Sequence, residues 1–170
     1  MLMARKINSR QTRQPQKRVI GAGLTEFWYL KHLKPLLDLK FELYPRLFGN
    51  ESMGEINKLI EEGLNDDAEV ICFFDEDVMR WDQVEGKRIK ELHCKYDNNS
   101  RVTLACSMPS IEYWFLLHHE KTNRHLATSR DAISSLRRYI VQFDKKENFL
   151  KHQKWVAELI KDNKMDHAMY

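Results

Sequence analysis

Asp75, Glu76 and Asp77 stand in a row at the end of the apolar run Ala68-Glu69-Val70-Ile71-Cys72-Phe73-Phe74. A run of this length, rich in β-branched and aromatic residues, reads as a strand buried on both faces, as in a parallel sheet covered by helices. Asp75 then falls at the strand's carboxyl end, the edge at which open α/β sheets hold their ligands. The period of two puts Asp75 and Asp77 on one side and turns Glu76 to the other. Two carboxylates so placed can share a divalent cation. Mg²⁺ suits them, or Mn²⁺ in its place, because hard oxygen donors match these ions and leave positions for water and substrate phosphates. The same acids could instead open a loop or cap the next helix, and residue types alone leave both readings open.

The flanking segments supply the frame. Arg18-Val19-Ile20-Gly21-Ala22-Gly23-Leu24-Thr25-Glu26 reads as a short strand, a glycine turn and a helix opened by Thr25. That helix carries an apolar stripe through Phe27, Tyr29, Leu30, Leu33, Leu36 and Leu37, with Pro35 placed to kink or end it. The turn is neither a dinucleotide fingerprint nor a P-loop, since the third glycine is missing and no Gly-Lys-Ser/Thr follows. Lys40 to Tyr44 alternates as a second strand, and residues 53 to 64 form a helical stripe behind the cap candidates Asn50 and Ser52. Residues 83 to 95 read as a surface helix ending before Asp97-Asn98-Asn99, and residues 101 to 106 as a further strand. Ser107-Met108-Pro109-Ser110 starts a strongly apolar helix with Ser107 or Met108 in the cap region, and residues 130 to 141 and 146 to 162 carry two more stripes. Alternating strands and helices predict an α/β fold: a doubly wound, mainly parallel sheet of about four strands flanked by helices, with a helical C-terminal extension.

A chain of 170 residues is expected to form one domain. The expected division is a flexible basic arm over 1–17, a single α/β domain over 18–162 and a frayed tail over 163–170, where periodicity is weak. The net charge is only +3, so a nucleic-acid partner cannot be argued from the total. Its distribution matters more: Arg5, Lys6, Arg10, Arg13, Lys17 and Arg18 open the chain with no acid among them. Such a segment is either a solvated tail or an arm that neutralises phosphates. Cys72, Cys94 and Cys106 have no metal-type spacing, and Cys72 and Cys106 lie in strand-like runs where free cysteine behaves as a small hydrophobe. The opening Met-Leu-Met is too short for a signal segment and no run approaches the roughly 18 apolar residues of a membrane span, so a cytoplasmic protein with no membrane partner is expected.

Three segments in order, strand-Gly-x-Gly-x-Thr-Glu-helix, strand-Asp-x-Asp and strand-Ser-x-Pro-Ser-x-Glu-Tyr-Trp-x-Leu-Leu-His, together resemble the RloB-like proteins. These are a Toprim-fold family of prokaryotic defence and restriction-linked loci, and the resemblance covers nearly the whole chain. The third segment is the most specific, with Ser107, Pro109, Glu112, Trp114, Leu117 and His118 in the family's register; the first two are shared by many Toprim proteins. The resemblance implies a Toprim-like fold and a metal-dependent endonuclease. Asp75 and Asp77 would coordinate Mg²⁺, and a glutamate after the first strand would supply metal ligation or acid–base help in phosphodiester chemistry. Toprim chains of this type commonly read Gly-Glu-Gly ahead of a Thr-Glu pair, whereas Ala22 stands between Gly21 and Gly23 here. Alanine neither binds a metal nor moves a proton, so the resemblance implies an impaired enzyme, whether by deliberate substitution or natural loss. Glu26 is the nearest substitute carboxylate, although an acid in a first helical turn also suits the helix dipole.

By the same resemblance the substrate is RNA, with tRNA the first candidate, or DNA, cleaved in antiviral defence with a larger defence complex as partner. The alternatives are a non-catalytic nucleic-acid-binding or assembly subunit, and a domain whose Asp-x-Asp holds a metal–nucleotide complex. Ser107 and Glu112 are candidates to orient groups near the metal, or else a cap and a surface ion pair. His118 is a further catalytic candidate without a second ligand cluster of matching spacing. Tyr113, Trp114 and Phe115 read as core. Arg80 and Lys87 are placed to track a phosphate backbone, or else belong to a solvated helix face.

Overall fold

The computed structural model describes residues 15–45, 52–80 and 82–169. Arg5, Lys6, Arg10 and Arg13 of the basic arm, and the cap candidate Asn50, lie outside the described residues. The order is β1 (Lys17–Gly21), α1 (Leu24–Leu36), β2 (Glu42–Tyr44), α2 (Met53–Asn65), β3 (Glu69–Asp75), α3 (Gln83–Tyr96) and β4 (Val102–Ser107). Helices α4 (Ile111–Leu117), α5 (Ser129–Leu136), α6 (Glu147–Leu150), α7 (Lys154–Ile160) and α8 (Lys164–Met169) complete the chain.

Among the described residues, four strands form one sheet in the order β2-β1-β3-β4, with every neighbouring pair parallel. All carboxyl ends therefore share one edge. The chain steps from β1 outward to β2, then crosses back to place β3 on the other flank of β1. That reversal opens a crevice at the carboxyl ends of β1 and β3, the position where sheets of this winding take ligands. This is the α/β architecture of a Toprim-like domain, as expected.

Alternation along β3 divides the core. Val70, Cys72 and Phe74 pack with Ile56, Ile60, Ile89 and Leu92 beneath α2 and α3, while Ile71 and Phe73 face Tyr29, Leu30 and Phe115 from α1 and α4. Each fully buried Ile or Phe contributes roughly 1.5–3 kcal/mol. Ser52 caps α2 by accepting from the Glu55 amide, and Asp82 caps α3 through the Val84 and Glu85 amides, so both helices start where cap chemistry dictates.

The C-terminal region is helical, as expected, but its helices are divided differently. The stripe over 130–141 ends early, at Leu136, and the stripe over 146–162 is two helices, α6 and α7. Far from an appendage, this region carries Phe143, Leu150, Trp155, Val156 and Leu159, buried against Tyr29, Leu30 and Phe115. The 163–170 stretch, read as a frayed tail, instead holds α8, whose Met165 packs on the same cluster. Weak periodicity hid it because a helix of six residues is too short to display a stripe.

Candidate active site

The turn after β1 is built on close approach. A Cβ on Gly21 would lie 2.8 Å from the Phe27 backbone nitrogen, so only glycine lets α1 begin there. The Ala22 amide donates to the Phe73 carbonyl at 2.9 Å, fastening this turn to β3 two residues before Asp75. Glu26, in the first turn of α1, is 5% exposed and folds back so closely over Gly23 that a Cβ there would overlap its carboxylate. On β3, Asp75 Oδ1 accepts from the Ile111 amide at 2.8 Å and so caps α4 from the neighbouring strand. Ser110 holds the N-cap position instead of Ser107 or Met108, and its hydroxyl donates to Glu112 Oε2 at 2.5 Å. Glu112 is completely buried, and its Oε1 lies 3.1 Å from Lys145 Nζ, whose side chain is 43% exposed.

These groups titrate together. Burial, then Glu26 and Glu112, push Asp75 up to about 9 against the pull of Lys145 and the Ile111 amide. Glu26 is pushed up to about 7, again by burial first; Glu112 and Asp77 add to the rise, while its own backbone amide and Lys145 oppose it. Asp77 is raised for the same leading reason. Burial works against the charged form of Lys145, but Glu112, Asp75 and Glu26 outweigh it and hold its pKa above the ordinary lysine value. The cluster is thus short of positive charge. That shortage fits a divalent cation: Asp75 and Asp77, with Glu26 nearby, offer the hard oxygen donors that Mg²⁺ takes. Their donor atoms do not form a tight threesome, however. Among the described residues, only Glu76, His93 and Cys106 bring three such atoms within 4.8 Å of one another. A Mg²⁺ held by one or two carboxylates needs its other ligands from water and substrate.

The sequence profile of the RloB-like protein family matches residues 19–169, from β1 through α8. The chain belongs to the RloB-like family. Neither a curated protein nor a solved structure matches it. The family match takes in the carboxylate cluster and also Lys145.

Within this RloB-like domain the expected site residues separate into those that meet and those that do not. Glu26, Asp75, Asp77 and Glu112 gather, and Glu26 also keeps its place over the helix N-terminus. Ala22 sits half-buried at the end of β1, its methyl packed toward the α2–α3 core. Ser107 stands beside Asp75 in the β3–β4 register and accepts from the Glu76 amide through its carbonyl at 3.0 Å. It also lines a cavity of about 470 Å³ with Phe73, Ala105, Tyr113 and Trp114.

His118 is a correction. It is 1% exposed at the far end of α4, its Nδ1 donates to the Leu159 carbonyl at 2.9 Å, and burial pushes it down to about 4. Its role is to fasten α7 to α4. Arg18 is a second correction: its side chain is 8% exposed, bonded to Asp66 Oδ2 at 2.7 Å and lying 4.2 Å over the Tyr44 ring, so no phosphate can reach it. Lys17 is exposed beside Glu69 at 3.8 Å, at the end of the sheet opposite the site. Arg80 is exposed, near Asp77, and donates to the Ala127 carbonyl at 2.7 Å; Lys87 is exposed on α3 and pairs with Glu91 at 3.9 Å. Lys145 is the residue that sequence reading missed. In Asp144-Lys145-Lys146-Glu147 it has the look of any solvated charge run.

Proposed function

We propose that this RloB-like domain is a metal-dependent endonuclease that cleaves RNA, with tRNA the first candidate, or DNA, as an effector of prokaryotic antiviral defence, and that Ala22 leaves it impaired. The observation that carries this reading is the gathering of buried Glu26 and Glu112 with half-buried Asp75 and Asp77 at the β1–β3 crevice, with Lys145 paired to Glu112. Asp75 and Asp77 would hold Mg²⁺, or Mn²⁺, and such an ion when bound stabilises charge developing on a phosphoryl oxygen and activates water. Glu26 can hold a proton near neutral pH, and Lys145 brings a positive charge to the rim of the site. The adjoining cavity with Tyr113 and Trp114 in its wall has the size and aromatic character to take an unstacked base, which supports a single-stranded or looped substrate. A non-catalytic nucleic-acid-binding or assembly subunit is the second reading, favoured by Ala22 alone.

The test is cleavage of labelled tRNA, single-stranded RNA and plasmid DNA with and without Mg²⁺ or Mn²⁺, by the chain and by its Ala22→Glu variant. Cleavage gained on Ala22→Glu, dependent on metal and abolished by adding Asp75→Asn, is the expected result. Salt-dependent binding by both forms with cleavage by neither would favour the subunit instead.

A further inference from the structure

Glu76 is the acid that the strand period turns away from Asp75 and Asp77, and the carboxylate cluster makes no use of it. On the α2–α3 face it meets two residues distant in sequence. His93 of α3 places Nε2 2.9 Å from Glu76 Oε1 and 3.7 Å from Cys106 Sγ on the edge strand β4. The other ring nitrogen, Nδ1, lies 2.9 Å from Asp97 Oδ1 just past the end of α3. We propose that Glu76, His93 and Cys106 form a second metal site, for a transition ion of the Zn²⁺ class, with a solvent-facing fourth position.

Three observations carry this. The first is geometry: a tetrahedral ion with bonds of about 2.0 Å to nitrogen and oxygen and about 2.3 Å to sulfur holds its ligands about 3.3–3.5 Å apart. The separations of 2.9 and 3.7 Å bracket that spacing, and all three ligand atoms lie within 4.8 Å of one another, so side-chain adjustment without movement of the backbone elements would seat the ion. The second is ligand chemistry, because thiolate and imidazole select Zn²⁺ over the Mg²⁺ that suits Asp75 and Asp77. The third is Asp97, which takes the Nδ1 proton and thereby aims Nε2 at Glu76 and Cys106, the carboxylate–histidine arrangement that supports metal-bound imidazoles. A simple ion link of His93 between two carboxylates needs no thiol at its centre. The site is also reachable, with the Glu76 and His93 side chains 25% and 30% exposed and Cys106 exposed on the edge strand.

An ion there would pin the peptide between Asp75 and Asp77 from the opposite face of the sheet. The proposal does not depend on nuclease activity. The full chain, stripped of metal by a chelator, is titrated with Zn²⁺ against a chromophoric competitor, and separately with Co²⁺ to read the thiolate-to-metal charge-transfer absorption. About one equivalent of Zn²⁺ is expected, with a Co²⁺ spectrum showing sulfur ligation. Cys106→Ser and His93→Gln should weaken binding more than a hundredfold, Asp97→Asn by about 10–100-fold. Cys94→Ser and Asp75→Asn should leave it intact, with thermal melts confirming that each variant is folded. Binding that survives Cys106→Ser, binding lost in Asp75→Asn, or a Co²⁺ complex of the unsubstituted chain without thiolate absorption would each overturn the proposal; the last needs no variant at all.

Discussion

At the scale of single residues, burial sets conflicts that titration can expose. Asp75 holds its proton up to about pH 9 in the fold, against an ordinary 3.8, so the folded state binds that proton more tightly than the unfolded chain does. Stability therefore falls as pH rises through that window. Asp75→Asn keeps an oxygen for the Ile111 amide and removes the charge, and should raise stability at pH 8 by roughly 1–2 kcal/mol, a melting shift of about 3–6 °C. Mg²⁺ should raise the melting temperature of the unsubstituted chain and leave Asp75→Asn unmoved, as scanning calorimetry would read. His118 has the opposite sign of dependence. Its folded pKa of about 4 lies below the ordinary 6.5, so the unfolded state binds more protons between those values and stability is lost as pH drops through them. The loss is on the order of 3 kcal/mol for so buried a ring. Because Asp75 titrates with the opposite sign over the same window, the check is the difference in unfolding free energy between the unsubstituted chain and His118→Gln, which should shift by that amount between pH 7 and pH 4 in denaturant titrations.

At the scale of elements, the two glycines of the β1–α1 turn separate structure from chemistry. Gly21→Ala drives a Cβ into the backbone of α1, which cannot yield, and should cost about 2–3 kcal/mol in denaturant unfolding. Gly23→Ala meets only the flexible end of Glu26, so it should cost less than about 1 kcal/mol while displacing the carboxylate; a fall in any metal-dependent cleavage with the fold intact is the expected signature. The sequence made the strands legible because each strand carries its own evidence of burial, in alternation or an unbroken apolar run. It made Asp75 legible because the break from Phe74 into acids marks a strand end. Glu112 could not be read as buried, since its burial is fixed by Lys145 thirty-odd residues away and by α4 leaning on β3. Arg18 looked like part of a basic arm because a sequence shows charge and hides the partner: Asp66 reaches it only once α2 has folded across β1. Likewise Cys106, on an exposed edge strand, looked like a buried hydrophobe, and His93 announced no tie to it.

At the scale of the whole molecule, Lys17 and the carboxylate cluster lie at opposite ends of the sheet. β1 enters at the amino edge, whereas the carboxylates crown the carboxyl edge. Deleting residues 1–14 removes Arg5, Lys6, Arg10 and Arg13 and should flatten the log–log salt dependence of nucleic-acid binding by about 3 units if all four meet phosphates. Arg18→Gln should leave that slope unchanged and lower thermal stability instead, which filter binding and a melt distinguish. Lys145, finally, has a bearing on the order in which the site acquires its charges. It lies between α5 and α6, after all four carboxylates in chain order. A growing chain presents its acids long before it owns the cation that balances them.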